Sequence, residues 1–284
     1  MRNDVQAIGI CRWSYPSDSR GFRRTDANQE DTRRRLYAPE RLEHRLFLLK
    51  HVMLPALRHQ TDPDFTLIFL MGDQLPEPWR GRLLELIGTV PQIRPVFAEE
   101  GRDQFDVCRT AIDAVRRDDV AATAQFRLDD DDAVSVHFIA KARRLFALQR
   151  PLFAQHGLLG LDFCRGFVFR ADARRCGFSP VSMRFWAPGM VLFIGPQHES
   201  CVLDFHHLQI WHHMPALTWM NRPMFVRGAH HDNDSGISNL GRRSRTFRFP
   251  QHRIEPHMRK HFGIDVPRLR AAWQARKTEF LRAA

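Results

Sequence analysis

Residues 121–134 read AATAQFRLDDDDAV. Ala124, Phe126 and Leu128 alternate with Gln125 and Arg127, the two-residue period of a β-strand, and the alternation stops at four consecutive aspartates, Asp129 to Asp132. Ahead of this stretch, short apolar runs take turns with amphipathic ones. Ala7 to Cys11 forms a continuous run, as a strand covered on both faces would be. A polar, Arg-rich stretch then reads as loop as far as Ala38. Pro39 suits a first helical turn, and Leu42, Leu46, Leu49 and Met53 fall on one face of the helix that follows; Pro55 is expected to kink or end it.

Phe65 to Met71 is a second buried strand, closed by Gly72 and Asp73. A helix from near Pro78 turns Leu83, Leu86 and Ile87 inward, and Ile93 to Phe97 is a third strand. Phe105, Cys108, Ala111, Ile112 and Val115 mark a third helix, and Val134 to Leu148 reads as a fourth, after the aspartates. The order β-α-β-α-β-α-β predicts an α/β, Rossmann-like fold, a mostly parallel sheet flanked by helices. Ligands of such sheets bind outside the carboxyl ends of the strands, where the aspartates stand. Beyond Pro151 the apolar runs shorten (Leu158 to Leu161, Phe167 to Phe169, Met190 to Ile194, Val202 to Phe205), which predicts a mixed or antiparallel C-terminal extension. A last amphipathic helix, Val266 to Leu281, would turn Leu269, Trp273 and Phe280 inward and its arginines outward.

The 284 residues, 43% apolar and 26% charged, have the composition of a globular protein. No run approaches the ~20 apolar residues of a membrane span, and the first residues lack the apolar core of a signal peptide, so a cytoplasmic location is expected. Five scattered cysteines (Cys11, Cys108, Cys164, Cys176, Cys201) without a C-x-x-C pair argue against a disulfide framework and a structural zinc site. Of the formal charge of +11, the segment Arg242 to Arg282 carries +9, from twelve Lys or Arg against three acids. That concentration suits an anionic partner, such as the inner face of a membrane touched peripherally, or a solvated surface.

Four adjacent carboxylates repel one another, and the local sequence supplies only Arg127 as a neighbouring cation. A divalent cation would compensate them. In extended backbone Asp129 and Asp131 point one way and Asp130 and Asp132 the other, so Asp129 and Asp131 can converge on one ion. Their hard oxygens suit Mn²⁺ or Mg²⁺. The competing reading is a solvated acidic turn that caps the following helix.

The residues around the aspartates resemble a known group of proteins. Leu54 to Asp73, with Gln60, Thr61, Phe65 and terminal Asp73, is similar to the first helix-to-strand passage of GT-A-type glycosyltransferases. Phe105 to Ile112 resembles their next helix, and Phe126 to Val134 their DXD strand end. Together with residues 224–228 (MFVRG) and 233–235 (NDS), the wording is most similar to the rhamnosyltransferase family of bacteria. The resemblance implies a GT-A-like fold whose residues 1–150 bind a nucleoside-diphosphate sugar donor. Residues 151–240 would form the acceptor-side half and 241–284 a basic helical segment. It further implies that Asp73 contacts the base, Arg109 and more weakly Arg12 support the nucleotide, Asp129 approaches the ribose and Asp131 binds the metal. Rhamnose from dTDP-rhamnose would be moved, with inversion, to a saccharide or lipid-linked acceptor.

In that group a late histidine often completes the metal shell. Of the pairs His206-His207, His212-His213 and His230-His231, His231 is the first choice because Asp232 and Asp234 lie beside it; His230 and His207 stay open. Inversion needs a carboxylate base to take the acceptor proton. Asp204 and Glu199 lie at the expected interval, and Asp204, at the end of Val202-Leu203, is the better placed.

Two other classes compete. A metal-dependent nuclease or phosphohydrolase would need carboxylates and histidines at several early strand ends, which are missing. A nucleic-acid-binding module would interleave exposed aromatics with its basic residues, and the tail does not, so no nucleic acid is expected.

Overall fold

A computed structural model of the chain describes residues 4–18, 28–172, 175–229 and 245–283, with side chains as far as Arg276. Three parallel pairings build its centre. β1 (Val5–Arg12) lies between β2 (Phe65–Gly72) and β4 (Ala122–Arg127), and β3 (Ile93–Ala98) adds beyond β2. Ile10 is opposite Ile68 on one side and Arg127 on the other. The strand order therefore reverses between β1 and β4, which places the crevice of a doubly wound sheet at their C-terminal ends. Gly9 permits the close packing there: a Cβ on it would come within 2.5 Å of the Phe126 ring and 2.7 Å of Leu67.

β1 shows why both faces are covered. Val5, Ala7 and Cys11 enter one core with Leu42, Leu46, Leu83 and Phe138, while Ile8 and Ile10 enter a second core with Cys108, Ile112 and Val202. The first core lies under α2 (Pro39–Leu48), α4 (Trp79–Ile87) and α6 (Phe138–Leu148), the second under α5 (Gln104–Asp113). β4 is more buried than its alternation suggests. Thr123 and Gln125 are buried as well, because Gln125 donates to Thr123 Oγ1 at 3.0 Å and accepts from Val202 N at 2.9 Å.

The extension is mixed, as expected. β9 (Met190–Ile194) runs antiparallel to β4 and to β6 (Leu158–Phe163), and β10 (Ala216–Trp219) completes a seven-stranded sheet. A second sheet has the order β5 (Ala133–Val134), β11 (Phe225–Ala229), β7 (Arg165–Ala171), β8 (Cys176–Ser182). α7 (Arg150–His156) bridges the two halves of the chain. Among the described residues, no helix is long and apolar enough to cross a membrane.

Several expectations change. The stretch before Pro39 is not all loop: α1 (Gln29–Leu36) forms because Asn28 Oδ1 caps Asp31 N at 2.9 Å and Thr32 and Leu36 are buried. Pro55 does not end its helix. A π-helical stretch, Leu49–Met53, passes the chain into α3 (Leu54–Arg58), so the missing N–H falls in a new first turn. Phe105 is exposed, and Gln104 is the buried residue at the start of α5. The helix expected from Val134 starts at Phe138, since Ala133 and Val134 pair with β11. Val202 to Phe205 is a turn, closed by Asp204 Oδ2 on Cys201 N at 2.7 Å. α8 (Ile254–Phe262), β8, β10 and β11 add to the elements expected.

The last helix, α9 (Val266–Ala283), buries Leu269 as expected, but its arginines are not all outward. Arg270 donates to Cys176 O, and Arg276 to the carbonyls of Glu43 and Glu40. Trp273 Nε1 donates to Asp172 O at 3.2 Å. Part of the basic segment is thus consumed in docking it.

Candidate active site

The aspartates follow β4 at the centre of the large sheet, and they fold back instead of continuing it. Asp132 N donates to Asp129 O at 3.0 Å, so Asp130 and Asp131 form the corner of a turn. The expected division of Asp129 and Asp131 from Asp130 and Asp132 gives way to another. Asp129 and Asp132 share Arg227 Nη1, at 2.6 and 2.7 Å, while Asp130 accepts from Arg45 Nη1 at 2.6 Å and Asp131 lies 3.6 Å from it. Asp129 and Asp131 still converge. One oxygen from each of Asp129, Asp131 and Asp132 lies within 4.8 Å of the others.

Arg127 is therefore not the sole compensating charge. Arg45 reaches in from α2, one turn beyond Leu42, and Arg227 from β11. Burial works against the charge on Asp129, but Arg227 prevails and holds its pKa below the ordinary value. Burial prevails at Asp130 against Arg45, and at Asp132 against Arg227, so both are pushed up. Arg127 is pushed down by burial, opposed by Asp129 and reinforced by Arg12.

Strand parity explains the Arg12–Arg127 proximity. Arg12 ends β1 on the face of Ile8 and Ile10, and Arg127 ends the adjacent β4 on the same face. Arg127 also lines a small cleft with Leu192, Val202 and His207. His207 Nδ1 bonds Phe185 O at 2.6 Å, and burial pushes its pKa down to about 4.

Asp73 follows β2, exposed, with its N–H donated to Ala98 O at 2.9 Å. Below it the Tyr37 hydroxyl donates to buried Glu100, which also accepts from Arg33 Nε at 2.7 Å. Arg109 and Asp204 are brought together with each other. Arg109 Nη2 donates to Asp204 Oδ1 and its Nη1 to Glu199 O at 3.1 Å. Among the described residues neither Arg109 nor Asp204 bonds the aspartate turn. His230 and His231, with Asn233 and Ser235, lie outside the described residues.

Sequence reasoning missed Arg45 and Arg41, although both sit in the first turns of an otherwise apolar helical stripe. Arg41 Nη1 donates to Ser14 Oγ at 2.7 Å, and Ser14 is held in the left-handed region at φ 50°. α2 therefore ties the loop after β1 and the aspartate turn to one rigid element.

A turn of carboxylates and arginines at the switch point of a doubly wound sheet suits the binding of a phosphate-bearing ligand. The family described as "Putative rhamnosyl transferase" matches residues 6–242. Among curated proteins, none matches the chain. Among solved structures, S. aureus TarS 1-349 in complex with UDP-GlcNAc is similar, at 8% identity and a TM-score of 0.41 over 81% of this chain and 60% of that one. HddC from Yersinia pseudotuberculosis is similar at 7% identity and a TM-score of 0.38, over 78% of this chain and 93% of that one. The chain thus spans 60% of the solved TarS chain. With more than three quarters of its length matched, the chain belongs to the family described as "Putative rhamnosyl transferase".

Proposed function

We propose that the chain is a metal-dependent glycosyltransferase, which moves rhamnose from dTDP-rhamnose to a saccharide or lipid-linked acceptor with inversion. The observation that carries this reading is the convergence of three carboxylate oxygens within 4.8 Å at the sheet's switch point. The donor set fits a hard divalent ion such as Mn²⁺ or Mg²⁺, which binds through one or two carboxylates together with substrate phosphates. Gly228 leaves room for the Asp131 carboxylate in this set: a Cβ there would come within 2.4 Å of Asp131 Oδ2. Asp129 and Asp131 would hold the ion, with His231 as the third candidate ligand. Bound there, it would stabilise charge on the departing diphosphate.

The rest falls to the chain's own groups. Arg12 and Arg127 bring two guanidinium groups to the face where the donor phosphates would lie. Asp73, exposed at the end of β2, would accept from the base, and Arg109 would support the nucleotide. Asp204 is the candidate base for the acceptor hydroxyl. Its oxygens are engaged by Arg109 and Cys201 N, so that role requires the pair with Arg109 to open. The protein would work in the cytoplasm, with the exposed basic residues near its C-terminus against an anionic membrane surface.

Nucleotide and metal should bind cooperatively if the ion is shared between carboxylates and diphosphate. A nucleoside diphosphate at ~100 times its Kd should raise stability by about 2.7 kcal/mol with Mn²⁺ and by much less with chelator. Thermal shifts across a panel of nucleotide sugars, with transfer or hydrolysis scored in parallel, test the reading. An equal shift in Mn²⁺ and in chelator would remove the metal from it, and no response to any nucleotide sugar would remove the donor.

A further inference from the structure

Of the two carboxylates that would hold a divalent ion, Asp129 is already held by a cation of the chain, which also holds the third convergent carboxylate, Asp132. Arg227 Nη1 donates to Asp129 Oδ2 and Asp132 Oδ2 at 2.6 and 2.7 Å. Arg227 is 9% exposed and Asp132 1%, so the contact lies out of bulk water, where salt screens little. The backbone imposes it. β11 pairs with β5, the strand that leaves the aspartate turn, and with β7 on its other side. The amide after Arg227, Gly228 N, takes the second oxygen of Asp132 at 2.9 Å. Two consecutive residues of β11 therefore engage both oxygens of Asp132, and the same guanidinium engages Asp129.

Two effects follow for an ion placed among Asp129, Asp131 and Asp132. It would sit beside a fixed positive charge, and it would share Asp129 with a strong hydrogen-bond donor. Both oppose binding. A nucleoside diphosphate adds negative charge and phosphate oxygens, which satisfy the ion and the guanidinium together.

We propose that Arg227 is a positioning residue that holds the aspartate turn in its bound-ready shape and keeps its affinity for a divalent cation low until a nucleoside diphosphate arrives. The proposal rests on the metal-dependent reading above. It makes metal binding conditional on the donor, through a named side chain that contacts two of the three convergent carboxylates.

The test is a Mn²⁺ titration of the full chain without nucleotide, with free Mn²⁺ read from its paramagnetic resonance signal. The parent is compared with Arg227→Gln, Arg227→Lys and the charge-balanced pair Arg227→Met/Asp132→Asn. Arg227→Gln should bind Mn²⁺ at least about tenfold more tightly than the parent, about 1.4 kcal/mol, and gain less from UDP or dTDP. Arg227→Lys keeps the charge and should follow the parent. A purely structural Arg227 would lower the melting temperature of the Gln variant and leave its Mn²⁺ affinity unchanged or weaker, which overturns the proposal. Should Arg227→Gln fail to fold, the charge-balanced pair decides, since it removes one positive and one negative charge together and leaves Asp129 and Asp131 for the ion: tighter Mn²⁺ binding than the parent supports the proposal, and unchanged or weaker binding overturns it. A parent that binds Mn²⁺ only with nucleotide, beside variants of unchanged affinity, overturns this proposal alone. A parent that never binds Mn²⁺, even with saturating UDP or dTDP, overturns the metal-dependent reading and the proposal with it.

Discussion

Arg109 and Asp204, which the sequence marks for different tasks, are bonded to each other: the guanidinium on α5 donates to the carboxylate that closes the turn after β9. The same arginine donates to Glu199 O at 3.1 Å, and the same carboxylate accepts from Cys201 N at 2.7 Å. A change at either residue therefore reaches the other. Taking Asp204 as the base, Asp204→Asn should lower kcat by 10²- to 10⁴-fold and leave the donor KM within a few-fold. Arg109→Ala should weaken nucleotide binding with and without metal alike. A loss in Asp204→Asn confined to the donor KM would reassign Asp204 to holding Arg109 in place.

Gly228 offers a second handle on the aspartate turn, one that leaves every carboxylate in the sequence. Its Cβ would fall 2.4 Å from Asp131 Oδ2 and 2.7 Å from Asp131 Cβ and Cγ, closer than real contacts allow. Asp131 is buried and its neighbours are packed, so Gly228→Ala must move that side chain. The expected cost is about 1–3 kcal/mol of stability, and transfer activity should be lost, as it should be on removal of the carboxylate itself in Asp131→Ala. Chemical denaturation and turnover, measured together, check it; full activity in a folded Gly228→Ala protein would show that the placement of Asp131 is not critical.

The central sheet was legible because its signal is local. Apolar runs, glycine and proline punctuation and the abrupt end at Asp129 each need only a few neighbouring residues, and β1, β2, β3 and β4 fall where they predict. The turn's electrostatics were not. Arg45 lies 85 residues from Asp130 and Arg227 lies 98 from Asp129, so no window of sequence joins them, and only the folded sheet does. β5 escaped for a similar reason. Ala133-Val134 has no strand signal of its own and is fixed by two register partners in β11.

The basic segment near the C-terminus divides into docked and exposed parts. Arg270 and Arg276 hold backbone carbonyls, whereas Arg259, Lys260 and Arg268 are exposed. Reversal of those three (Arg259→Glu, Lys260→Glu, Arg268→Glu) should weaken binding to anionic liposomes, by about 1 kcal/mol per residue at the surface, and flatten its salt dependence. The fold should survive. Equal liposome binding by parent and variant, at low and at physiological salt, would remove the membrane from the proposal.

Asp162 allows a prediction about pH that is independent of the carboxylate turn. It is buried in β6, accepting from Phe185 N at 2.9 Å and Thr218 Oγ1 at 3.2 Å, and Phe185 is held at φ 56°, a rare backbone state for a bulky residue. Burial pushes the Asp162 pKa up to about 6, against the pull of those two donors. Between the ordinary carboxylate value and 6 the folded chain keeps a proton that the unfolded chain releases. Stability from this group is therefore full at about pH 4 and lost as pH rises through 6, by about 3 kcal/mol for a shift of this size. The half-buried histidines His51, His207 and His257, pushed down to about 4 by desolvation, act in the opposite sense, since the unfolded chain binds their protons first as pH falls below 6.5. In the parent the two trends offset each other in part. Asp162→Asn keeps a carbonyl oxygen for Phe185 N, turns an NH2 to Thr218 Oγ1 at a cost that does not vary with pH, and removes the titration, so its stability relative to the parent should climb by about 3 kcal/mol from pH 4 to pH 7. Urea unfolding of both proteins at four or five pH values measures that difference; a constant difference across the range would mean that Asp162 is ionised in the folded chain and that its two donors outweigh burial.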